Sequence, residues 1–173
     1  MKLFLLQDTC VSPESGHTVL FQVYDAQGQP CACAEQLSGL FHDGFRVIGT
    51  ILQTELDVRV AAARLPGGII CTVYTGTRRR ARLSVLRDRL HIELDGLPCA
   101  VLGTPTIGEY TLADAHGDVL FSQQRCAGKN GRNAFLLDIP DGARADVYLG
   151  LAICLSRLLA YPQGHFAPVP AGS

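Results

Sequence analysis

The sequence has no tryptophan, a single methionine and little charge: 18% of its 173 residues are Asp, Glu, Lys or Arg, against about 25% in an average globular chain. Fifteen basic residues nearly balance sixteen acidic ones, leaving a formal net charge of −1. No global field therefore draws the chain to nucleic acid or to an anionic membrane, and any such binding has to come from a local patch. The seven cysteines (10, 31, 33, 71, 99, 126 and 154) are odd in number and form no C-x-x-C pair. That argues against a disulfide framework and for reduced, core-packed thiols in a cytosolic protein. The opening Met-Lys-Leu-Phe-Leu-Leu-Gln-Asp has too short an apolar stretch for a signal peptide. Neither G-x-S-x-G nor H-E-x-x-H occurs, and His17, His42, His91, His116 and His165 are dispersed. No catalytic residue, metal site or cofactor is nominated, and a non-enzymatic role is expected.

What the chain does contain is a succession of short, strand-like runs separated by turns. Leu3–Leu6 comes first, then Thr18–Asp25 and Cys31–Glu35 around the Gly28 turn. Phe45–Leu52, Leu56–Ala63, Ile69–Thr75, Ala81–Leu86, Leu90–Leu94, Cys99–Gly103, Ile107–Leu112, Val119–Gln124 and Asn133–Ile139 follow. About twelve strands of roughly five to six residues predict a barrel or sandwich and not alternating βαβ units. An internal echo accompanies them. Phe21-Gln-Val-Tyr-Asp-Ala-Gln-Gly28 matches Tyr110-Thr-Leu-Ala-Asp-Ala-His-Gly117, and Gly-x-Pro-Cys-Ala recurs at 28–32 and 96–100. The first match predicts equivalent hairpins in two halves.

Long hydrophobic runs are absent except for one, Ala145 to Tyr161, closed by Pro162. Its apolar residues cover most of a helical wheel, so the helix must be enclosed. At about 17 residues it spans roughly 25 Å, the short limit for a ~30 Å hydrocarbon core. It also carries Asp146, Ser156 and Arg157, and an arginine near a helix centre costs about 2.5–3.5 kcal/mol on insertion. Burial of 145–160 inside the protein is the better reading, and no transmembrane span is expected. The domain is expected to cover 1–161, with 162–173 a flexible Pro/Gly-rich tail.

The polar stretch with the most chemistry in it is Arg78-Arg-Arg-Ala-Arg-Leu-Ser-Val-Leu-Arg-Asp-Arg89, which holds six of the fifteen basic residues. Guanidinium forks suit phosphate oxygens, so Arg78, Arg79, Arg80, Arg82, Arg87 and Arg89 are candidates for an anion site. The bland alternative is a solvated hairpin edge that resists edge-to-edge pairing. Nucleic acid is disfavoured, because no aromatic residues interleave with the cluster. Ala127-Gly-Lys-Asn-Gly-Arg132 lacks Walker spacing and reads as a hairpin loop, from which Lys129 and Arg132 could add to an anion-binding rim. Cys31 and Cys33 share a strand face but have no local histidine or second pair, so core packing is expected over zinc. Glu93 and Asp95, two apart on a strand, read as solvent-facing carboxylates and not a catalytic dyad.

The hairpin at 21–28, its echo at 110–117, the run Leu83-Ser-Val-Leu-Arg-Asp-Arg-Leu-His-Ile92 and the helix Asp146–Leu159 together resemble the tubby C-terminal-like superfamily. That group takes in tubby domains, phospholipid scramblases and LURP-one-related proteins. The resemblance implies a closed antiparallel β-barrel threaded by its C-terminal helix. It also implies binding of anionic phospholipid headgroups or phosphoinositides, which tubby domains hold in a basic pocket on the barrel. The proline-rich N-terminal region and calcium-binding segment of scramblases have no counterpart in this chain. The expectation is a cytoplasmic binding or scaffold protein, peripheral at the membrane, with protein partners unspecified. The alternatives are a small-molecule carrier or hydrolase with a barrel-end pocket, and a membrane-inserted, scramblase-like protein.

Overall fold

The computed structural model describes residues 1–37, 44–87, 89–128, 132–140 and 144–159. The expected tail at 162–173, together with Lys129, His42 and His165, lies outside the described residues. Twelve strands follow in chain order: β1 (Lys2–Val11), β2 (Thr18–Tyr24), β3 (Pro30–Gln36), β4 (Phe45–Ile51), β5 (Thr54–Leu65) and β6 (Gly68–Thr75). They continue as β7 (Arg78–Leu86), β8 (Arg89–Leu94), β9 (Leu97–Thr104), β10 (Glu109–Ala113), β11 (Val119–Ala127) and β12 (Asn133–Asp138), before helix α1 (Ala145–Leu159). Each strand pairs antiparallel with its sequence neighbours, and β12 closes on β1. Of the barrel and the sandwich that the strand count allowed, the fold is the closed antiparallel barrel that the resemblance implied.

The alternation of side chains along each strand builds the barrel. In β2, Val19, Phe21 and Val23 point inward and are buried, while Thr18, Leu20, Gln22 and Tyr24 lie between them on the outer face. Leu3 and Leu5, Phe45 and Val47, Val58 and Val60, and Phe135 and Leu137 repeat the pattern around the wall. With strands about 4.8 Å apart and tilted about 40°, twelve of them enclose a barrel roughly 24 Å across. That leaves about 12 Å from wall to axis, room for one helix of about 10–12 Å diameter with its side chains. Helix α1 fills it: Val147, Leu149, Leu151, Ala152, Ile153, Cys154 and Leu155 are all buried. No helix among the described residues is long and apolar enough to cross a membrane.

Gly150 fixes how the helix sits. A Cβ placed there would lie 3.0 Å from Val58 Cγ1 and 3.1 Å from Val73 Cγ1, so α1 approaches the wall most closely at β5 and β6. A second tie is polar. Tyr110 Oη donates to Gln123 Oε1 at 3.1 Å, and Gln123 Nε2 donates to Ser156 Oγ at 2.9 Å, all three residues being buried. Burial pushes the Tyr110 hydroxyl pKa well above its ordinary value, so it stays a donor. Ser156 interrupts the helix's apolar surface in sequence because a partner on β11 awaits it.

Several expectations change in detail. The β1 strand runs to Val11 rather than Leu6, because a register irregularity between Gln7 and Cys10 lets pairing with β2 resume beyond it. The β10 strand begins at Glu109, since Pro105–Ile107 forms a 3-10 turn ended by Gly108 at φ 79°. The echoed hairpins are equivalent turns. Asp25 Oδ1 accepts from Gln27 and Gln29 N–H at 2.9 and 2.8 Å, and Asp114 Oδ1 from His116 and Asp118 N–H at 2.8 and 3.0 Å. Gly28 and Gly117 supply the left-handed residue at φ 77° and 91°. They do not mark two halves, however. The turns follow β2 and β10, eight strands apart in a barrel of twelve, whereas the Gly-x-Pro-Cys-Ala segments lead into β3 and β9, six apart. One duplication cannot generate both offsets. Nor are the cysteines mainly in the core. Cys71 and Cys154 are buried, while Cys31 and Cys33 are half-buried on the outer face with Ala32 and Ala34 pointing in. Burial pushes both of the outer thiols up in pKa, with Asp25 adding at Cys31 and Glu35 at Cys33.

Candidate functional site

Because the chain runs up and down around the barrel, connections leaving even-numbered strands share one rim and those leaving odd-numbered strands share the other. This parity divides the arginine-rich stretch. Arg78 opens β7 at the first rim, and Arg87 sits beyond its end at the second. The nine residue-to-residue steps from one to the other span about 30 Å at roughly 3.3 Å per residue. Arg78, Arg79 and Arg80 therefore belong to one rim and Arg87 and Arg89 to the opposite one, with Arg82 on the outer wall between. The reading of 78–89 as a single basic hairpin is corrected to a strand with two separate basic ends. The edge-protection reading also falls, because β7 pairs with β6 along one side and β8 along the other.

Local structure at the first rim concentrates charge. Ala81 and Leu83 face the core, which sends Arg80 and Arg82 outward. Val73 pairs with Ala81 but Tyr74 pairs with Arg79, so an extra residue is accommodated at Arg80. This bulge re-aims the strand end and crowds Arg78, Arg79 and Arg80 together. The facing turn of β8 and β9 brings Asp95, at φ 49°, beneath them. Arg80 Nε donates to Asp95 Oδ1 at 3.1 Å and Arg144 Nη2 to Asp95 Oδ2 at 2.6 Å. Partial burial works to raise the Asp95 pKa, but the Arg80 hydrogen bond and the Arg144 charge outweigh it and hold the carboxyl below its ordinary value. Arg144 stacks its guanidinium over Tyr148, 5.9 Å from the ring centre, immediately before α1.

Above the bridge lies a cleft of about 200 Å³ with Arg78, Arg79, Arg80, Arg82, Glu93 and Asp95 on its walls. The acids in it are already engaged. Asp95 bridges two arginines, and Glu93 lies opposite Arg82 in register and 3.1 Å from His91 Nε2. The two carboxylates thus have separate structural partners, and Asp95 lies in the turn beyond β8 and not on the strand with Glu93. Arg78 and Arg79 are exposed and enter no ion pair among the described residues. The cleft can accept a small, multiply charged anion through the exposed guanidiniums of Arg78 and Arg79, beside Arg80, which Asp95 holds in place.

The remaining nominated residues are elsewhere. Arg132 is paired with Asp8 at 3.1 Å on the second rim, and β8 to β11 separate β12 from β7. It adds nothing to the Arg78 cleft. Lys129 lies outside the described residues. Sequence reasoning missed Arg144 and the bridging role of Asp95. The signals were an arginine just ahead of the helix and an Asp-Gly turn, which only barrel closure brings to the same rim.

The fold and site define a class: a closed twelve-stranded up-and-down barrel around a central helix, carrying a basic cleft on one rim. A solved structure of a protein from Arabidopsis thaliana shares this architecture, with a TM-score of 0.57 over 90% of each chain at 14% identity. At that identity the likeness is one of fold. No family model matches the chain, and no curated protein matches it.

Proposed function

We propose that the protein is a non-enzymatic binding or scaffold protein that recognises anionic phospholipid headgroups, phosphoinositides among them, through the rim cleft of Arg78, Arg79, Arg80 and Arg82. The observation that carries this reading is the clustering of four arginines beside a cleft whose two carboxylates are already held by other groups. A cleft of about 200 Å³ with a charged lining suits a phosphate-bearing headgroup. Small-molecule pockets are larger, about 300–1,000 Å³, and mostly apolar. The helix filling the barrel favours binding at the surface over carriage of a ligand inside. The tubby-like resemblance and the shared fold are consistent with this reading, though a fold does not by itself set a function.

Vesicle sedimentation tests it, comparing wild type with Arg78→Ala/Arg79→Ala and with Arg87→Ala/Arg89→Ala. Each arginine near an anionic surface contributes about 1 kcal/mol, so the first variant should bind about thirtyfold more weakly. The second should retain binding, being on the opposite rim. Equal binding by wild type and the Arg78/Arg79 variant, or none by wild type, would refute the proposal.

A further inference from the structure

The rim that holds the cleft also presents leucines at its turn tips. Leu52, in the β4–β5 turn, is 71% exposed, and Leu97, leaving the β8–β9 turn, is 64% exposed. The β6–β7 turn with Arg78 and Arg79 lies between them. Turns on one rim are two strands apart, about 10 Å, so the order around the rim is leucine, arginine pair, leucine over roughly 20 Å. Leu52 is unusual as well as exposed. It occupies a two-residue hairpin turn with φ 49°, followed by Gln53 at φ 63°. Such a turn favours Asn-Gly, and a leucine there carries backbone strain without gaining burial. A large apolar side chain held outward in an unfavourable conformation is a feature the fold does not require.

Carboxylates on this rim bear on what can dock there. Asp95 is bridged by Arg80 and Arg144, Asp57 pairs with Arg46, and Asp25 and Asp114 cap their own turns. Glu55 and Asp118 oppose an anionic partner, so the arginines alone give a weak attraction. Apolar anchors beside the cations complement a surface that is charged outside and apolar beneath.

We infer that this rim docks on an anionic bilayer, Leu52 and Leu97 entering the headgroup layer on either side of Arg78 and Arg79. The inference rests on the headgroup reading above and adds the docking surface and its orientation. A flat acidic protein would engage the arginines but give the leucines no apolar layer to enter.

The absence of tryptophan makes the orientation measurable. Leu97→Trp places one indole on the proposed docking rim, and Ile107→Trp places one on the opposite rim, at a side chain 49% exposed. Phosphatidylcholine vesicles containing about one-fifth phosphatidylserine or phosphoinositide should shift the Leu97→Trp emission to the blue and leave Ile107→Trp unchanged. The combined variant Leu52→Asn/Leu97→Gln should keep its fold, because asparagine tolerates the left-handed turn better than leucine. Its partitioning onto those vesicles should fall about tenfold, while binding of a soluble inositol polyphosphate stays as in wild type. Equal partitioning of this variant and wild type, or a blue shift confined to Ile107→Trp, would overturn the docking surface and leave headgroup recognition standing. Wild type that binds neither vesicles nor the soluble headgroup would overturn both.

Discussion

Gly150 offers the sharpest test of the helix's position. In a solvent-facing helix, Gly150→Ala would stabilise by about 1 kcal/mol through propensity alone. Inside the barrel the new Cβ lies 3.0 Å from Val58 Cγ1 and 3.1 Å from Val73 Cγ1, closer than ordinary contact. Both valines are fully buried, and β-branched side chains have few alternative rotamers to retreat into. Overpacking of this kind costs about 1–3 kcal/mol. The two effects leave Gly150→Ala neutral to about 2 kcal/mol destabilised. Gly150→Leu adds three more carbons to the same gap and should prevent soluble folding. A double-mutant cycle with Val58→Ala separates packing from propensity. Val58→Ala alone opens a cavity, and in the Gly150→Ala background the new methyl enters it, so the two changes should couple favourably by at least about 1 kcal/mol. Urea unfolding followed by far-ultraviolet circular dichroism gives each free energy. A soluble Gly150→Leu protein of wild-type stability, or a cycle with no coupling, would refute the enclosed helix.

The buried chain of Tyr110, Gln123 and Ser156 predicts a ranking. Gln123→Ala strands two hydroxyls and opens a void, and should cost about 3–5 kcal/mol; Ser156→Ala leaves the Gln123 amide without its acceptor, at about 1–3; Tyr110→Phe leaves Gln123 Oε1 the Ser156 hydroxyl as donor at 3.3 Å, and should cost least. Urea midpoints that place Tyr110→Phe below Gln123→Ala would contradict the network. The Asp95 bridge predicts a pH dependence. Its folded pKa is lowered, so the stabilisation is fully present above the unfolded carboxylate value of about 4 and is lost as pH falls through the folded one. Asp95→Asn should therefore be about 1 kcal/mol less stable than wild type at neutral pH, a modest figure because the bridge is partly solvated. The gap should close toward pH ~3, and a gap of constant size over that range would show that the carboxylate's charge contributes nothing.

The fold was legible because its two strongest signals are local. Period-two alternation and turn residues mark each strand without reference to any other, and nothing but enclosure accommodates a helix with Leu149, Leu151, Ile153 and Leu155 around its circumference. What escaped were features fixed by a partner far along the chain. The strand through Arg78 begins three residues earlier than its apolar run, because Tyr74 and Thr75 on β6 supply pairing partners for Arg79 and Arg78. Cys31 and Cys33 have the small, apolar character of core residues, yet Ala32 and Ala34 take the inward positions in that register. Shifting the strand by one residue would exchange the two sets, and local composition does not distinguish them.

The candidate site shows the same division between sequence proximity and spatial proximity. In the chain, Arg78 and Arg89 look like neighbours and Arg144 looks unrelated to either. Strand parity reverses this. A strand of nine residues carries its two ends to opposite rims, while any even-numbered strand returns the chain to the rim where β7 begins. The β8 strand delivers Asp95 to that rim and β12 delivers Arg144, which is why a carboxylate and a guanidinium 49 positions apart meet at 2.6 Å. The bridge in turn explains why the cleft has free cations. With Asp95 satisfied by Arg80 and Arg144, no described acid pairs with Arg78 or Arg79. Cutting the bridge should therefore alter ligand binding as well as stability: Arg144→Gln frees Asp95 to draw Arg80 more tightly or to compete for Arg79, and the positive potential over the cleft falls by a full charge. Weaker anion binding in Arg144→Gln than in Arg132→Gln, a change of the same charge on the opposite rim, would separate this local effect from the loss of net charge, and equal weakening of the two would refute it.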